Sequence, residues 1–155
     1  MIVTTPTKYF LAVGGAEGGS SLNAFDAALM AACIGNTNLV KMSSILPPRC
    51  REVPPFRLPP GALVPAAYAS VSSGQPGERI AAAVGIAFPE DDEYPGLIME
   101  IAGPGTLAEM EERVRRMAAE GMEMRGQPIR RLVARGAEHR VERHGAVVAA
   151  VVLWN

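Results

Sequence analysis

The sequence predicts one α+β domain built from layers of helix and sheet. The chain has 155 residues, the size of one ordinary domain, and its 48% hydrophobic and 20% charged residues are typical of a globular protein. Apolar runs of strand or helix character alternate along it and give two helices and six or seven strands. The runs at 81–83 and 146–152 are apolar on both strand faces, which predicts sheets covered on both sides and, in so short a chain, an oligomer.

The first part of the chain predicts a strand, a helix and a second strand. The first strand covers 8–13 and is expected to end at Gly14-Gly15. Ser20 or Ser21 then caps a helix to about Ile34, with Gly35 in the left-handed conformation that often ends a helix. The second strand covers 38–42. The segment 50–60 holds four of the 13 prolines and is predicted to be extended surface chain.

The middle of the chain predicts a hairpin and a third strand. Two runs of small residues, 61–73 and 78–88, flank the turn sequence Ser73-Gly74-Gln75-Pro76-Gly77 and are expected to pair antiparallel. A further apolar run at 96–102 predicts another strand.

The last part predicts a helix and a closing hairpin. Thr106 and Glu109 form a capping box that opens the helix, and Gly121 is expected to end it. The runs 129–143 and 146–154 are predicted to pair as the closing hairpin. Strand–helix–strand–strand thus occurs twice, which indicates two similar halves.

Charge and composition exclude several classes of function. The net charge of −1 gives no reason to expect nucleic acid, and the basic residues at 113–143 are interspersed with carboxylates. Cys33 and Cys50 lack metal-ligand spacing, and His139 and His144 are too few for a metal site. No run has the about 18 apolar residues of a membrane span, and no signal peptide is recognisable, so we expect a cytoplasmic protein.

Two carboxylates have apolar sequence neighbours. Asp26 lies between Leu22 and Leu29 on the apolar stripe of the first helix, where a carboxylate is costly unless it is paired or faces a pocket. The alternative is an acid near the first turn that the helix dipole stabilises. Glu100 lies within the apolar run 97–101. If it is buried there, its pKa is raised and suits a proton donor; on an edge strand it would face water.

The pair Ser43-Ser44 lies between the strand 38–42 and Pro47-Pro48, at a junction where a peptide bond can cut itself. The Ser44 hydroxyl would attack the Ser43 carbonyl and move the acyl group from nitrogen to oxygen. β-Elimination then leaves dehydroalanine, which tautomerises and hydrolyses to a pyruvoyl group with loss of ammonia. Asn38 is a candidate donor to the oxyanion formed on the way. Taken alone, such a pair is more often an ordinary strand end.

Seven short motifs occur in order along most of the chain. They are LNAFDAAL at 22–29, GNTNL at 35–39, SSILPP at 43–48, GALVP at 61–65, GLIME at 96–100, EMRG at 123–126 and EH at 138–139. This pattern, from about residue 12 to residue 154, resembles the pyruvoyl-dependent arginine decarboxylases. The loop 15–21 and Gln127-Pro128 differ from the family pattern, so the substrate is less certain than the reaction type.

The resemblance implies a fold and a maturation. The fold is a four-layer αββα sandwich with mixed and antiparallel sheets in two β-α-β-β halves. The single domain 1–155 would cut itself into a β chain of 1–43 and an α chain of 44–155. It would assemble as a homotrimer, or a dimer of trimers, with active sites between subunits. The cofactor would be the pyruvoyl group derived from Ser44, with neither pyridoxal phosphate nor metal.

The resemblance also implies the reaction and its residues. L-arginine would be converted to agmatine and CO₂, with the pyruvoyl group as the electron sink that pyridoxal phosphate provides elsewhere. Asn38 would assist processing, Glu100 would donate a proton, and Asp26 would bind the guanidinium group, which a carboxylate matches in bidentate geometry. That end of the pocket would be lined by Leu22 and the backbone of Gly35 and Thr37.

Three other functions stay open at the sequence level. The same chemistry could act on another amino acid, although Asp26 favours a cationic side chain. An uncleaved homologue could serve as an oligomeric binding protein. A serine hydrolase with Ser44 as nucleophile and His139 as base is disfavoured, because no Gly-x-Ser-x-Gly sequence surrounds Ser44.

Overall fold

The computed structural model describes residues 4–155. Both predicted helices are present, and the order β-α-β-β occurs twice, as β1–α1–β2–β3 and β7–α2–β8–β9. None of the helices in the described part of the chain is long and apolar enough to span a membrane. The elements are β1 (Lys8–Glu17), α1 (Ser21–Ala31), β2 (Asn38–Lys41), β3 (Ile45–Leu46), β4 (Arg51–Glu52), β5 (Leu63–Ser73), β6 (Arg79–Pro89), β7 (Gly96–Pro104), α2 (Leu107–Met124), β8 (Ile129–Arg140) and β9 (Gly145–Trp154).

The strands form two sheets. Sheet A has the order β2-β5-β9-β1-β4, and sheet B has the order β3-β7-β6-β8. Sheet A is mixed, because β2 pairs parallel with β5 and β1 pairs parallel with β4, while β9 is antiparallel to both of its neighbours. Sheet B is antiparallel throughout.

The two sheets pack face to face and each carries one helix on its outer face. Successive side chains of a strand point to opposite faces of its sheet, so the central strands contribute to the core on both sides. One face of β9 and one face of β6 meet between the sheets, the other face of β9 packs against α1, and the other face of β6 packs against α2. The layers therefore run α1, sheet A, sheet B, α2, which is the expected αββα sandwich. A single copy covers both faces of both sheets, so two-sided burial does not by itself require an oligomer.

The first strand is longer than predicted. It continues through Gly14 and Gly15 to Glu17, paired all the way with β9. Gly14 lies directly under α1: a Cβ there would lie 2.6 Å from the carbonyl oxygen of Ala28 and 2.7 Å from the amide nitrogen of Ala32. The glycine therefore allows the helix to approach the strand and does not end the strand.

The first helix starts as predicted and ends earlier. The Ser20 side chain is the N-cap and accepts from the Asn23 amide at 3.2 Å. The helix stops at Ala31, and Cys33 takes the left-handed conformation with φ 63°. The Cys33 and Ile34 amides bond back to carbonyls of the last turn, so the helix is closed before Gly35 is reached. The predicted end at Ile34 and Gly35 is wrong.

Both predicted hairpins are wrong. The strands β5 and β6 are consecutive but lie in different sheets, and so do β8 and β9. Each connection carries the chain from one layer of the sandwich to the other. A strand that is apolar on both faces can bury its side chains next to any of several strands. Its sequence therefore does not specify which strand it pairs with.

The second helix opens with the predicted capping box of Thr106 and Glu109. It continues past Gly121 to Met124, and the left-handed residue beyond its end is Gly126, with φ 66°. Gly121 is buried inside the helix, where a Cβ would run into the side chain of Leu97. The predicted end at Gly121 is therefore wrong, because this glycine serves close helix–sheet packing.

Candidate active site

The pair Ser43-Ser44 lies where the chain crosses from one sheet to the other. The preceding strand β2 is an edge of sheet A, and the following strand β3 is an edge of sheet B. On one side of the pair, the Met42 amide donates to the Ala66 carbonyl at 3.0 Å. On the other side, the Ser44 carbonyl accepts from the Ile98 amide at 2.7 Å. The Ser43–Ser44 peptide bond therefore bridges two fixed sheet edges, with Ser43 exposed and Ser44 partly buried.

Glu100 lies on the same strand as the residue that holds Ser44. It is two residues beyond Ile98 on β7, so both side chains point to the same face of sheet B. Ile98 belongs to the core between the sheets, and Glu100 therefore points to the inter-sheet side as well. Partial burial raises the pKa of Glu100, and the charge of Lys41 opposes part of that rise. A partly buried carboxyl with a raised pKa, on the strand that holds Ser44, is suited to donate a proton.

Lys41, which the sequence analysis did not single out, is the last residue of β2. Its ammonium group donates to the Tyr68 carbonyl at 2.5 Å and lies 4.5 Å from the centre of the Tyr68 ring. Its position in the sequence, two residues before Ser43 at the end of an edge strand, is the feature that could have drawn attention to it. Sequence alone did not show that its charge would reach Glu100.

Asn38 is not beside the serine pair in this chain. It opens β2, where its amide nitrogen donates to Ala62 and its side-chain Nδ2 donates to the Gly61 carbonyl at 3.1 Å. At roughly 3.3 Å per strand residue, about 13 Å of chain separates Asn38 from Met42.

Asp26 and Leu22 lie on the exposed face of α1. The buried face of the helix consists of Ala24 and Ala28, and Leu22 is 74% exposed. Asp26 is exposed too and forms no hydrogen bond or salt bridge with residues 4–155. The prediction of a carboxylate among apolar residues is thus partly corrected: the stripe through Leu22 and Asp26 faces away from the core of its own chain. Because α1 covers the outer face of sheet A, sheet A also separates Asp26 from Glu100.

Gly35 and Thr37 line a cavity of about 450 Å³ beyond the end of α1. The Thr37 hydroxyl donates to the Ile34 carbonyl at 2.8 Å, which fixes this loop. Much of the remaining lining is apolar and comes from Phe10, Met30 and Phe56. The structure therefore brings Gly35 and Thr37 together with the end of the helix that carries Asp26, and it leaves them apart from the serine pair.

His139 is too far from Ser44 to act as its base. It lies on β8, the edge strand opposite β3, about 14 Å away across three strand spacings. Its Nε2 instead lies 2.5 Å from the Glu17 carboxylate. The geometry therefore excludes the serine hydrolase arrangement.

The known proteins that this chain resembles share one family description. A family model described as pyruvoyl-dependent arginine decarboxylase matches residues 8–155. The chain is 48% identical to the pyruvoyl-dependent arginine decarboxylase of Methanocaldococcus jannaschii over 96% of this chain and 90% of the relative. It is 44% identical to the protein of the same name from Pyrococcus abyssi, over 97% of each chain. The similarity thus covers both sheets and the serine pair.

Proposed function

Because the chain belongs to the family of pyruvoyl-dependent arginine decarboxylases, we propose that it converts L-arginine to agmatine and CO₂ with a pyruvoyl group made from its own Ser44. One observation carries the proposal. The Ser43–Ser44 bond spans two sheet edges, with the Ser44 carbonyl fixed on the strand that presents Glu100.

Cutting this bond leaves both new chain ends attached to the sandwich. The β chain, 1–43, stays in sheet A through β1 and β2, and the α chain, 44–155, stays in sheet B through β3 and β7. The Ser44 hydroxyl attacks the Ser43 carbonyl, and elimination from the resulting ester releases the Ser43 carboxylate. The Ile98 amide holds the Ser44 carbonyl throughout, so the new end keeps its position relative to Glu100. Asn38 would assist this step only after a movement of β2 or through a second copy of the chain.

The surroundings of Ser44 fit a pyruvoyl group. It is small, it stays in the main chain, and its amide carbonyl would retain the Ile98 hydrogen bond. When present, it supplies the electron sink for the loss of CO₂. Glu100 supplies the proton that replaces the lost carboxyl group, because burial raises its pKa and so favours the protonated carboxyl.

The substrate side chain is bound by Asp26, with Leu22, Gly35 and Thr37 around it. A guanidinium group pairs with a carboxylate through two parallel hydrogen bonds, which favours arginine over an acidic amino acid. Within one copy, Asp26 and Glu100 lie on opposite sides of sheet A. A complete site therefore combines Asp26 of one subunit with Ser44 and Glu100 of another, as a homotrimer with inter-subunit sites provides.

Intact-mass analysis of the purified protein tests the proposal together with CO₂ release from labelled arginine. We expect two fragments, 1–43 and a 44–155 fragment that reacts with carbonyl reagents. Ser44→Ala should stay in one piece and release no CO₂. Glu100→Gln should still cut itself but lose decarboxylation, by about 100-fold or more, because a general acid contributes 10²–10⁴-fold.

Two results would contradict the proposal. An uncut wild-type chain without CO₂ release would favour the non-catalytic homologue. Near-normal turnover by Glu100→Gln would remove Glu100 from its role and leave the maturation intact.

A further inference from the structure

Three exposed side chains form one stripe along α1. Leu22, Asp26 and Met30 are spaced at i, i+4 and i+8, so they follow one another on the same face of the helix. This face is opposite the buried Ala24 and Ala28, and all three side chains are exposed. Asp26 therefore has one apolar neighbour a turn before it and another a turn after it.

The Met30 side chain lies directly on the loop that follows the helix. A Cβ added to Gly35 would lie 2.3 Å from the Met30 Sδ, 2.8 Å from its Cγ and 3.0 Å from its Cα. The loop can approach the last turn of α1 this closely because Gly35 has no side chain. Met30 also lines the cavity of about 450 Å³ that Gly35 and Thr37 line.

Met30 lies between the two parts of the proposed substrate-binding end. Asp26 is one helical turn away on one side, and Gly35 and the cavity are on the other. A guanidinium group that contacts both Asp26 and the backbone of Gly35 must lie across Met30. The side chain is 51% exposed, so part of it packs on Gly35 and part is open to a ligand. A thioether chain is apolar and adapts its shape to what it contacts.

We propose that Met30 is a specificity-determining residue, which closes the substrate pocket one helical turn beyond Asp26 and thereby selects the side-chain length of arginine. The inference rests on the proposed function, because it takes Asp26 as the guanidinium site. A cationic amino acid one methylene longer than arginine meets the Met30 thioether before its guanidinium group is in place. Without this side chain, the cavity behind it accepts the additional length.

The inference is tested with arginine and homoarginine, which has one more methylene. One methylene in an apolar pocket is worth roughly 10- to 200-fold, so Met30→Ala should lower the ratio of kcat/KM for arginine to that for homoarginine by about 10-fold or more. Met30→Leu keeps an apolar side chain of similar size and should keep the ratio. A purely structural role for Met30 would slow both substrates alike and leave the ratio in place.

Met124→Ala is the matched control. Met124 is also an exposed methionine near the end of a helix, but it lies on α2, on the other side of the sandwich. Its replacement should leave the ratio unchanged.

Binding to the uncut Ser44→Ala chain gives a second readout that requires no turnover. Isothermal titration calorimetry compares agmatine with the guanidinium amine that is one methylene longer. Adding Met30→Ala to this chain should shift the ratio of the two dissociation constants toward the longer amine by about 10-fold.

The contact between Met30 and Gly35 is tested by a double-mutant cycle. Gly35→Ala pushes the Met30 thioether out of its position and should raise the KM for arginine by about 5-fold or more, as expected for residues in direct contact. In the Met30→Ala chain, the same replacement meets only the Met30 Cα and should have a smaller effect. Equal effects in the two chains would show that Gly35 does not act through Met30.

The outcomes separate this inference from the proposed function. A wild-type enzyme that decarboxylates arginine, with the same substrate ratio in Met30→Ala as in the parent, overturns the role of Met30 and leaves the proposed function intact. An uncut wild-type chain that releases no CO₂ overturns the proposed function, and this result is read without any Met30 variant.

Discussion

Glu100 shows how the position of a side chain determines its chemistry. Its carboxyl points between the sheets, where partial burial raises its pKa. The folded chain thus binds this proton more tightly than the unfolded chain does. The contribution of Glu100 to stability is therefore largest at low pH and is lost as the pH rises through the folded pKa. The proposed proton donor is therefore held at a cost in stability once it is ionised.

At the same scale, Asp26→Asn should weaken the binding of arginine. Hydrogen bonds to a charged group contribute about 1.5–3 kcal/mol, so the KM for arginine should rise about 10- to 100-fold. The exposed position of Asp26 in its own chain predicts little change in stability or self-cleavage. Steady-state kinetics with intact-mass analysis measure both effects.

Glu120→Gln is the charge-matched control for Asp26→Asn, because Glu120 is an exposed carboxylate on α2. It should leave the KM unchanged. An unchanged KM in Asp26→Asn would place the guanidinium group elsewhere.

At the scale of elements, the position of α1 depends on one glycine. Gly14 lets the helix backbone lie directly on β1, and the atoms that crowd it belong to the backbone of α1, which cannot rotate away. The helix carries Asp26, and its end leads into the loop of Gly35 and Thr37. The packing of α1 on the sheet therefore positions the residues that we propose to bind the substrate side chain.

Gly14→Ala should destabilise the protein by about 1–3 kcal/mol, the usual cost of overpacking. It should also raise the KM for arginine, because α1 must shift away from the sheet. Gly19→Ala is the matched control: nothing lies within 4 Å of a Cβ at Gly19, so its effect should be small. Urea denaturation gives the free energies of unfolding, and equal values for the two variants would contradict this account.

At the scale of the whole molecule, one cluster joins the two sheets at the edge opposite Ser44. Glu17 ends β1 of sheet A, and its Oε2 lies 2.5 Å from Nε2 of His139 on β8 of sheet B. Its Oε1 accepts from the Arg143 amide at 2.8 Å and the Glu142 amide at 3.3 Å. Partial burial acts to raise the pKa of Glu17, but these hydrogen bonds outweigh it and lower the pKa overall.

Glu17→Gln should therefore lower the free energy of unfolding at pH 7, by about 1 kcal/mol for a partly exposed group. The folded pKa of Glu17 is lowered, so its contribution is present above the unfolded pKa and is lost as the pH falls through the folded pKa. The difference between parent and variant should shrink in acid. Denaturation at several pH values measures it, with the exposed Glu123→Gln as control; a difference independent of pH would contradict the assignment.

We expect the proposed trimer to form through surfaces that a single copy leaves apolar. Several apolar side chains are exposed on α1 and on the strands β2, β3 and β5: Leu22, Met30, Val40, Ile45 and Leu63. Leu63 is 61% exposed and pairs with Asn38 at the β2 edge. Leu63→Glu should dissociate the proposed trimer and remove decarboxylation, because burying an unpaired carboxylate in an interface is unfavourable. Light scattering after size-exclusion chromatography measures the mass.

Met124→Glu is the control for Leu63→Glu. Met124 is 81% exposed at the end of α2, on the other side of the sandwich, and its replacement should leave the proposed trimer intact. A Leu63→Glu protein that stays trimeric and active would exclude this edge from the interface.

The sequence alone determined the type and approximate range of the main elements, because strand and helix periods, the Ser20 cap and the Thr106–Glu109 capping box are local properties. It also singled out the serine pair and Glu100 as candidates, since an unusual residue in an apolar run is visible without a structure.

Only the tertiary structure decided how these elements are arranged. Strands apolar on both faces fit several neighbours, so pairing across two sheets replaced both predicted hairpins. The buried face of the alanine-rich helix α1, and with it the exposure of Asp26, followed from its packing on sheet A. The charge of Lys41 on sheet A opposes part of the rise in the pKa of Glu100 on sheet B, and only the packing of the two sheets makes this possible.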